Sequence, residues 1–329
     1  MHGGVDETER LFSVNLPKSE VSRINAAAKN DAAVEIFPVN DNVARLISKA
    51  IDIAKKTNGA FDPTIAPIVK LWGTGTNHAR VPLDGEIRAA LRSVDYRRLR
   101  VSSARVLLKT NSGAARSAPD EKAVSPMYRT VYKIIIGASG APRTSIDMGG
   151  IAKGHAADRT AALLRESGVK RALIDLGGNI YVIGDSPKGC PWRIGIQHPH
   201  RPRGEYLGVV ECEDISVVTS GPYERYFEKD GVRYHHIFDP KTGRPAKSDL
   251  ASVTVVSKIS ADADALCTAF FVMGFDRTIE FLRNHRHLKA ILVKNDGKVY
   301  LTETLQNKFK LSDTSMKLEI LKGTGTEPL

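Results

Sequence analysis

The sequence predicts an α+β fold with mixed sheets and packed helices. Residues 42–57 place their apolar side chains on one helical face, which predicts an amphipathic helix. Short apolar and β-branched runs bounded by Gly, Asn and Asp predict strands, most of them after residue 170. Helices and strands mix without a regular alternation, and the sequence has no internal repeat, so a mixed α+β class follows.

Two helices are predicted in the amino-terminal part of the chain. Asn40 or Asp41 is a candidate cap for the helix over 42–57, and Gly59 follows its end. Residues 84–94 repeat the apolar spacing more briefly and predict the second helix.

Structural signals become dense after a segment rich in Ser, Ala, Gly and Pro. This segment, 111–144, predicts a long loop or insertion around a short strand, Val131–Ile136. A glycine-rich turn from residue 145 leads into the next helix. The elements predicted beyond it are helices over 154–167, 261–273 (ended by Gly274) and 276–284, and strands over 172–176, 180–183, 192–196, 216–219, 252–256, 290–293 and 298–301.

Composition excludes several classes of protein. The 329 residues are 42% hydrophobic and 26% charged, which is typical of globular proteins and excludes a collagen or a coiled coil. No apolar stretch approaches the roughly 20 residues that span a bilayer. The three cysteines have no CxxC spacing, so we expect neither a disulfide framework nor a thiolate zinc site. The first ten residues carry no secretory signal, so we expect either a protein that stays inside the cell, in the cytoplasm or an organelle, or a chain whose true start has been removed.

The charge balance favours anionic partners. Lysine and arginine exceed aspartate and glutamate by 11. The basic residues are spread along the chain, however, and no RNP-like strand or zinc-finger spacing accompanies them. We therefore expect a solvated basic surface and no nucleic-acid partner.

Two segments carry candidate ligand-binding groups. In Asp147–Gly154, adjacent glycines permit close backbone approach to a ligand, and Lys153 can meet a phosphate; a plain turn with a helix cap is the alternative. In the second segment, Asp264 and Thr268 are four residues apart, so both oxygens project from one helix face. A carboxylate and a hydroxyl suit magnesium, whereas the alternative is a capping aspartate and a packed threonine.

A third segment carries a candidate base. In His235–Pro245, a histidine and Asp239 beside a rigid turn can supply a general base and its orienting partner; a polar strand end is the alternative. Residues 219–227 combine a tight turn with a charged, aromatic strand, but no GxSxG elbow surrounds Ser220, which argues against a hydrolase triad.

These segments, in this order, resemble the ApbE family of flavin transferases, which move FMN from FAD onto a threonine or serine of a target protein. The resemblance implies a T-fold-related architecture and a single domain over 1–329, with 113–142 as an insertion loop and the family's amino-terminal strand missing. The matching blocks are 11–25, 57–64, 67–73, 147–154, 175–179, 219–225, 236–245 and 264–274.

The resemblance also implies roles for individual residues. His236 matches the histidine regarded as the base that activates the acceptor hydroxyl. The implied magnesium ligands are the backbone oxygen of Gly150 and the side chains of Asp264 and Thr268. The implied flavin-nucleotide contacts are Ala60, Phe61, Asp62, Asp147, Lys153 and Ile237.

These roles imply a magnesium-dependent FAD:protein FMN transferase that releases AMP. Two alternatives stay open: hydrolysis of FAD to FMN and AMP, and a non-catalytic flavin-binding module, which the missing first strand favours. The implied partners are FAD and an acceptor flavoprotein carrying a motif of the type Asp-x-x-(Ser/Thr)-Gly-Ala-(Ser/Thr).

Overall fold

A computed structural model describes residues 3–28, 33–107, 128–137 and 140–324. The helices in these ranges are α1 (Gly3–Phe12), α2 (Glu20–Ala27), α3 (Asp41–Lys56), α4 (Ala66–Trp72), α5 (Asp84–Leu91), α6 (Gly149–Glu166) and α7 (Ser260–Asn284). Short 3₁₀ turns occupy Tyr96–Arg98 and Glu303–Leu305. The strands are β1 (Ala33–Val39), β2 (Leu99–Leu107), β3 (Tyr128–Gly137), β4 (Ala172–Asp175), β5 (Asn179–Ile183), β6 (Trp192–Gln197), β7 (Tyr206–Cys212), β8 (Ile215–Ser220), β9 (Tyr226–Lys229), β10 (Val232–His235), β11 (Phe238–Asp239), β12 (Arg244–Pro245), β13 (Leu250–Ser257), β14 (Lys289–Lys294), β15 (Lys298–Thr302), β16 (Phe309–Leu311) and β17 (Lys317–Leu321).

A seven-stranded mixed sheet organises the fold. Its strand order is β17-β15-β14-β13-β8-β5-β4. Neighbouring strands are antiparallel except for β15 and β17, which run parallel. At the centre, Val255 of β13 lies opposite Val218 of β8 and Ala290 of β14. The sheet therefore mixes both strand directions, as the α+β prediction requires.

Both faces of this sheet are covered. Side chains alternate across a strand, so Leu292 contributes to the core shared with α3, α6 and α7, while its neighbours Ile291 and Val293 contribute to the core on the opposite face. A three-stranded sheet, β16-β7-β6, covers that opposite face. The central strands are thus buried on both sides, which explains their nearly continuous apolar sequence.

The amphipathic helix predicted over 42–57 is confirmed as α3. The side chain of Asn40 accepts a hydrogen bond from Asn42 N–H at 2.9 Å, so the predicted cap is Asn40 rather than Asp41. The buried face of α3, which includes Leu46 and Ile47, packs into a core that also contains Ile134 of the small sheet β1-β3-β2. Helix 84–94 is confirmed as the shorter α5.

The predicted glycine-rich turn before residue 154 was wrong in its extent. Helix α6 begins at Gly149, so both glycines lie in its first turn. Glycine costs about 1 kcal/mol in a helix interior relative to alanine. The prediction therefore began the helix after the two glycines, which is too late. The structure places the Phe61 ring and the Thr268 hydroxyl against Gly150, and a side chain there would crowd the ring.

The predicted break at Gly274 is confirmed. Gly274 has φ 73° within α7 and separates a segment that ends there from a second one that reaches Asn284. The Asp249 carboxylate accepts a hydrogen bond from Phe275 N–H at 2.9 Å just beyond the break. The hairpin predicted over 290–301 is confirmed as β14 and β15.

Most of the segment predicted as an insertion, 113–142, lies outside the described residues. The single domain expected over 1–329 also stays a prediction. The strand predicted within that segment forms β3, the central strand of its sheet. In the described part of the chain, no helix is long and apolar enough to cross a membrane.

Candidate active site

Helices α6 and α7 cross at Gly154. A Cβ at this position would lie 2.3 Å from the carbonyl oxygen of Ser260, so only glycine permits the approach. The Gly154 N–H donates to Oδ2 of Asp264 at 2.9 Å. From α6, the Asp158 carboxylate accepts hydrogen bonds from the N–H groups of Ser260 and Ala261 at 2.7 and 3.0 Å, which caps α7. The two helices therefore hold each other in a fixed register.

This crossing brings together the three predicted magnesium ligands. Thr268 Oγ1 lies 3.5 Å from the position that a Cβ on Gly150 would occupy, and it donates to the Asp264 carbonyl oxygen at 3.4 Å. Asp264 is buried, with 3% of the residue exposed. Burial raises its pKa, although the Lys153 charge and the Gly154 N–H oppose that shift. A carboxylate this deeply buried favours a compensating cation.

The donor set fits magnesium better than a softer metal. Across the described ranges, no group of three or more His, Cys, Asp or Glu side chains is placed to hold a metal ion. The Gly150–Asp264–Thr268 set contains one carboxylate, one hydroxyl and one backbone carbonyl, all of them hard oxygen donors. Magnesium is commonly bound by one or two carboxylates while it keeps waters or substrate phosphates. These residues therefore suit a magnesium ion shared with a phosphorylated ligand.

Phe61 reaches the same point from another part of the chain. Its ring lies 3.2 Å from the position that a Cβ on Gly150 would occupy, while Ala60 and Ile237 are buried. Asp62 is held differently: its Oδ1 accepts from the N–H and hydroxyl of Thr64, and its Oδ2 accepts from Tyr96 N–H at 3.1 Å. Burial raises the pKa of Asp62. Its carboxylate thus braces the loop that presents Phe61.

Asp147 connects this loop to the start of α6. Its N–H donates to the Pro63 carbonyl oxygen at 2.8 Å, and its Oδ1 accepts from Gly149 N–H at 2.6 Å. A Cβ on Gly149 would lie 2.9 Å from that Oδ1, so the close bond needs glycine. Burial raises the pKa of Asp147. The carboxylate lies at the helix start beside Gly149 and Gly150, where backbone N–H groups favour an anion.

The two adjacent histidines have different surroundings. His235 is buried; its Nε2–H donates to the Ala246 carbonyl oxygen, its Nδ1 accepts from Ile237 N–H, and its ring stands edge-on to Phe271. His236 instead follows the end of β10, with Nδ1 3.1 Å from the Arg225 carbonyl oxygen. His235 is therefore a structural residue of the core.

The Arg225 carbonyl fixes the proton of His236. A carbonyl oxygen only accepts, so Nδ1 carries the hydrogen and Nε2 is left with a lone pair. The backbone N–H of His236 donates to the same oxygen at 3.1 Å. Burial lowers the pKa of His236 to about 4; the hydrogen bond to the Arg225 carbonyl opposes this shift, and the charges of Arg225, His235 and Lys153 add to it. The imidazole is therefore neutral at pH 7.

The expectation that Asp239 orients the base was wrong. Its Oδ1 accepts from Lys241 N–H at 2.8 Å and its Oδ2 from the Thr242 hydroxyl at 3.2 Å, so it closes the turn between β11 and β12. The orienting group is the Arg225 backbone. Sequence reasoning missed it because a backbone carbonyl has no residue signature; it also missed Asp158, which lies inside a helix pattern.

Sequence comparisons identify relatives over most of the chain. The sequence model of the ApbE family matches residues 2–292. The FAD:protein FMN transferase of Treponema pallidum (strain Nichols) is 33% identical over 323 residues, which are 96% of this chain and 82% of the relative. The FAD:protein FMN transferase of Klebsiella pneumoniae (strain 342) is 33% identical over 310 residues, covering 94% and 86% of the two chains.

Solved structures share the fold. The ApbE protein from Thermotoga maritima superposes with a TM-score of 0.74 at 30% identity, over 93% of this chain and 88% of that one. The flavin transferase ApbE from Vibrio cholerae gives a TM-score of 0.72 at 28% identity, over the same shares of the two chains. The family match, the two relatives and the shared fold lead to one conclusion: this chain belongs to the ApbE family.

Proposed function

We propose that this protein is a magnesium-dependent FAD:protein FMN transferase, which joins FMN to a threonine or serine of an acceptor flavoprotein and releases AMP. The observation that carries the proposal is the crossing of α6 and α7, where the Gly154 N–H binds the buried Asp264 carboxylate and the Thr268 hydroxyl lies against Gly150. The Lys153 charge opposes the raised pKa of Asp264 and contributes to the lowered pKa of His236, which agrees with a base near this crossing. The names of the relatives support the same activity.

The start of α6 suits the pyrophosphate of FAD. Lys153 supplies a positive charge, the dipole of α6 adds positive potential at the amino-terminal end of the helix, and Gly150 leaves room for close approach. A magnesium ion held by Gly150, Asp264 and Thr268 would neutralise negative charge on the two phosphates. Phe61 provides apolar surface against Gly150, Asp147 lies beside Gly149, and Ile237 is proposed to contact the flavin nucleotide as the family resemblance implies. A dinucleotide is favoured over FMN because only the dinucleotide has a pyrophosphate for these groups to hold.

His236 supplies the base. Its Nε2 takes the proton of the acceptor hydroxyl while the hydroxyl oxygen attacks the phosphorus on the FMN side of the pyrophosphate. The bond from that phosphorus to the bridging oxygen breaks, and the oxygen leaves with AMP. Lys153 stabilises the charge that develops on the leaving phosphate. The Arg225 carbonyl keeps Nδ1 protonated, so the imidazole keeps Nε2 as its basic nitrogen throughout.

The acceptor is proposed to carry the Asp-x-x-(Ser/Thr)-Gly-Ala-(Ser/Thr) pattern. The test is to incubate the protein with FAD, Mg²⁺ and a peptide carrying this pattern, then to look for covalent FMN by mass spectrometry and for AMP by chromatography. We expect both products in equal amounts, and neither after chelation of the metal. Release of FMN and AMP without a peptide adduct would identify a hydrolase instead.

A further inference from the structure

A cavity of about 550 Å³ lies outside the site described above, and it is lined in part by the hairpin that precedes the proposed base. Of the ten described residues that line it, three are arginines (Arg201, Arg203 and Arg233) and one, Glu224, is acidic. Tyr223 and Tyr226 supply aromatic surface. We call these six residues the arginine pocket. Its size is that of a site for a small ligand or a few side chains.

The arginine pocket shares a hairpin with the base. Tyr226 of β9 pairs with His235 of β10, the residue before His236. On the preceding turn, Glu224 immediately precedes Arg225, whose carbonyl oxygen binds both the ring and the backbone N–H of His236. A protein segment seated in the pocket would therefore contact the hairpin and turn whose Arg225 carbonyl positions His236.

Contacts within each wall of the pocket hold its side chains. On one side, the buried Asp313 carboxylate accepts hydrogen bonds from His198 at 3.1 Å and from Arg201 at 2.6 Å, which holds the loop that follows β6. On the other, the Arg233 guanidinium lies 4.1 Å from the centre of the Tyr226 ring. Side chains that are already held in place lose less entropy when a ligand binds.

The charge of the pocket is only partly neutralised. Arg201 pairs with Asp313, and Arg233 pairs with Glu228 at 3.2 Å. Arg203 is exposed and makes no ion pair with any residue of the described ranges. Tyr226 and Val232, both on the same hairpin, are 42% and 50% exposed. Exposed Arg and Tyr side chains are enriched at protein–protein contacts, and an unpaired guanidinium favours a carboxylate.

We propose that the arginine pocket is the docking site for an acidic segment of the acceptor flavoprotein, with Arg203 as its principal carboxylate-binding residue. This proposal rests on the transferase function for the identity of the partner. The pocket would hold the acceptor so that its hydroxyl reaches Nε2 of His236, while FAD occupies the separate site at the start of α6.

The test measures binding and transfer separately. The probe is a fluorescein-labelled peptide that carries the acceptor pattern followed by four glutamates, and its control is the same peptide with four glutamines. The protein variants are Arg203→Glu and, as a matched charge reversal on the exposed face of β2, Arg105→Glu. Fluorescence anisotropy gives the Kd for each peptide, flavin fluorescence gives FAD affinity, and mass spectrometry gives the transfer rate.

We expect Arg203→Glu to weaken binding of the acidic peptide by about 5- to 20-fold, and to raise the KM for that peptide similarly, while kcat and FAD affinity stay unchanged. Arg105→Glu should change these values less than twofold. The wild-type protein should prefer the glutamate peptide, and added salt should reduce that preference because charges at the protein surface are screened.

Equal effects of the two variants, or equal binding of the two peptides by the wild-type protein, would overturn the docking proposal whatever the transfer assay gives. Binding that depends on Arg203 without any FMN adduct would leave the docking site standing and refute the transferase function instead.

Discussion

Lowering the pH tests the proposed role of His236 directly. Burial in the protein, with help from the nearby charges of Arg225, His235 and Lys153, lowers the pKa of His236 to about 4. A lowered pKa means that the neutral, proton-accepting form persists as the pH falls, and is lost only near pH 4. An exposed histidine with a pKa near 6.5 would lose this form through pH 6.5.

The size of the difference follows from the two pKa values. At pH 5.5, a histidine with a pKa of about 4 is about 97% neutral, whereas one with a pKa of about 6.5 is about 9% neutral. Through its own ionisation, a base with a pKa of about 4 therefore causes less than a twofold loss of activity between pH 7.5 and 5.5, whereas a base with a pKa of about 6.5 causes about a tenfold loss.

The assay is the initial rate of FMN transfer to the acceptor peptide at limiting FAD, since kcat/KM reports the ionisation of the free protein. The His236→Ala variant should transfer FMN about 10²- to 10⁴-fold more slowly, the range that general acid–base catalysis typically contributes, and should keep most of its affinity for FAD. An inflection near pH 6.5, or a His236→Ala variant with wild-type activity, would refute the assignment of the base.

His235→Ala is the matched control, and the structure predicts a different defect for it. This change removes two buried hydrogen bonds, to the Ala246 carbonyl and from the Ile237 N–H, and a ring contact with Phe271. We expect a loss of about 2–4 kcal/mol in the free energy of unfolding, measured by denaturant titration, with a much smaller effect on the transfer rate than His236→Ala has. A histidine whose removal left stability unchanged would contradict its structural role.

Three further changes probe the crossing of α6 and α7. Asp264→Asn keeps an oxygen for the Gly154 N–H but removes the buried charge, so thermal unfolding without metal should occur at the same or a higher temperature. The stabilisation by Mg²⁺ and the metal-dependent activity should both disappear. A variant that still responds to Mg²⁺ would exclude Asp264 as a ligand. Gly154→Ala places a Cβ 2.3 Å from the Ser260 carbonyl oxygen and should lower the free energy of unfolding by about 1–3 kcal/mol in denaturant titrations. An unchanged denaturant midpoint would show that the two helices can move apart without loss of stability. Lys153→Ala should weaken FAD binding at low salt, and the loss should be smaller at high salt because the charge is already screened. FAD affinity is measured by flavin fluorescence. Equal affinity in the wild-type protein and the variant at low salt would count against the phosphate contact.

Sequence periodicity and local signals predicted much of the fold. The helix over 42–57, the break at Gly274 and the hairpin over 290–301 depend on neighbouring residues, so their signals are contiguous in the chain. The spacing of Asp264 and Thr268 placed both oxygens on one helix face for the same reason. The ordered blocks identified the family, because each block carries its own residues wherever the chain later places it.

Tertiary contacts decided what the sequence left open. Gly150 and Thr268 are far apart in the chain, and only the crossing of α6 over α7 at Gly154 brings them together. The choice of Arg225, not Asp239, as the partner of His236 depended on a backbone carbonyl, which every residue has and no residue type marks. The lowered pKa of His236 likewise arises from burial and from charges that reach it through space. Residue types therefore determined which chemical groups this chain possesses, and packing between distant segments determined which of those groups meet.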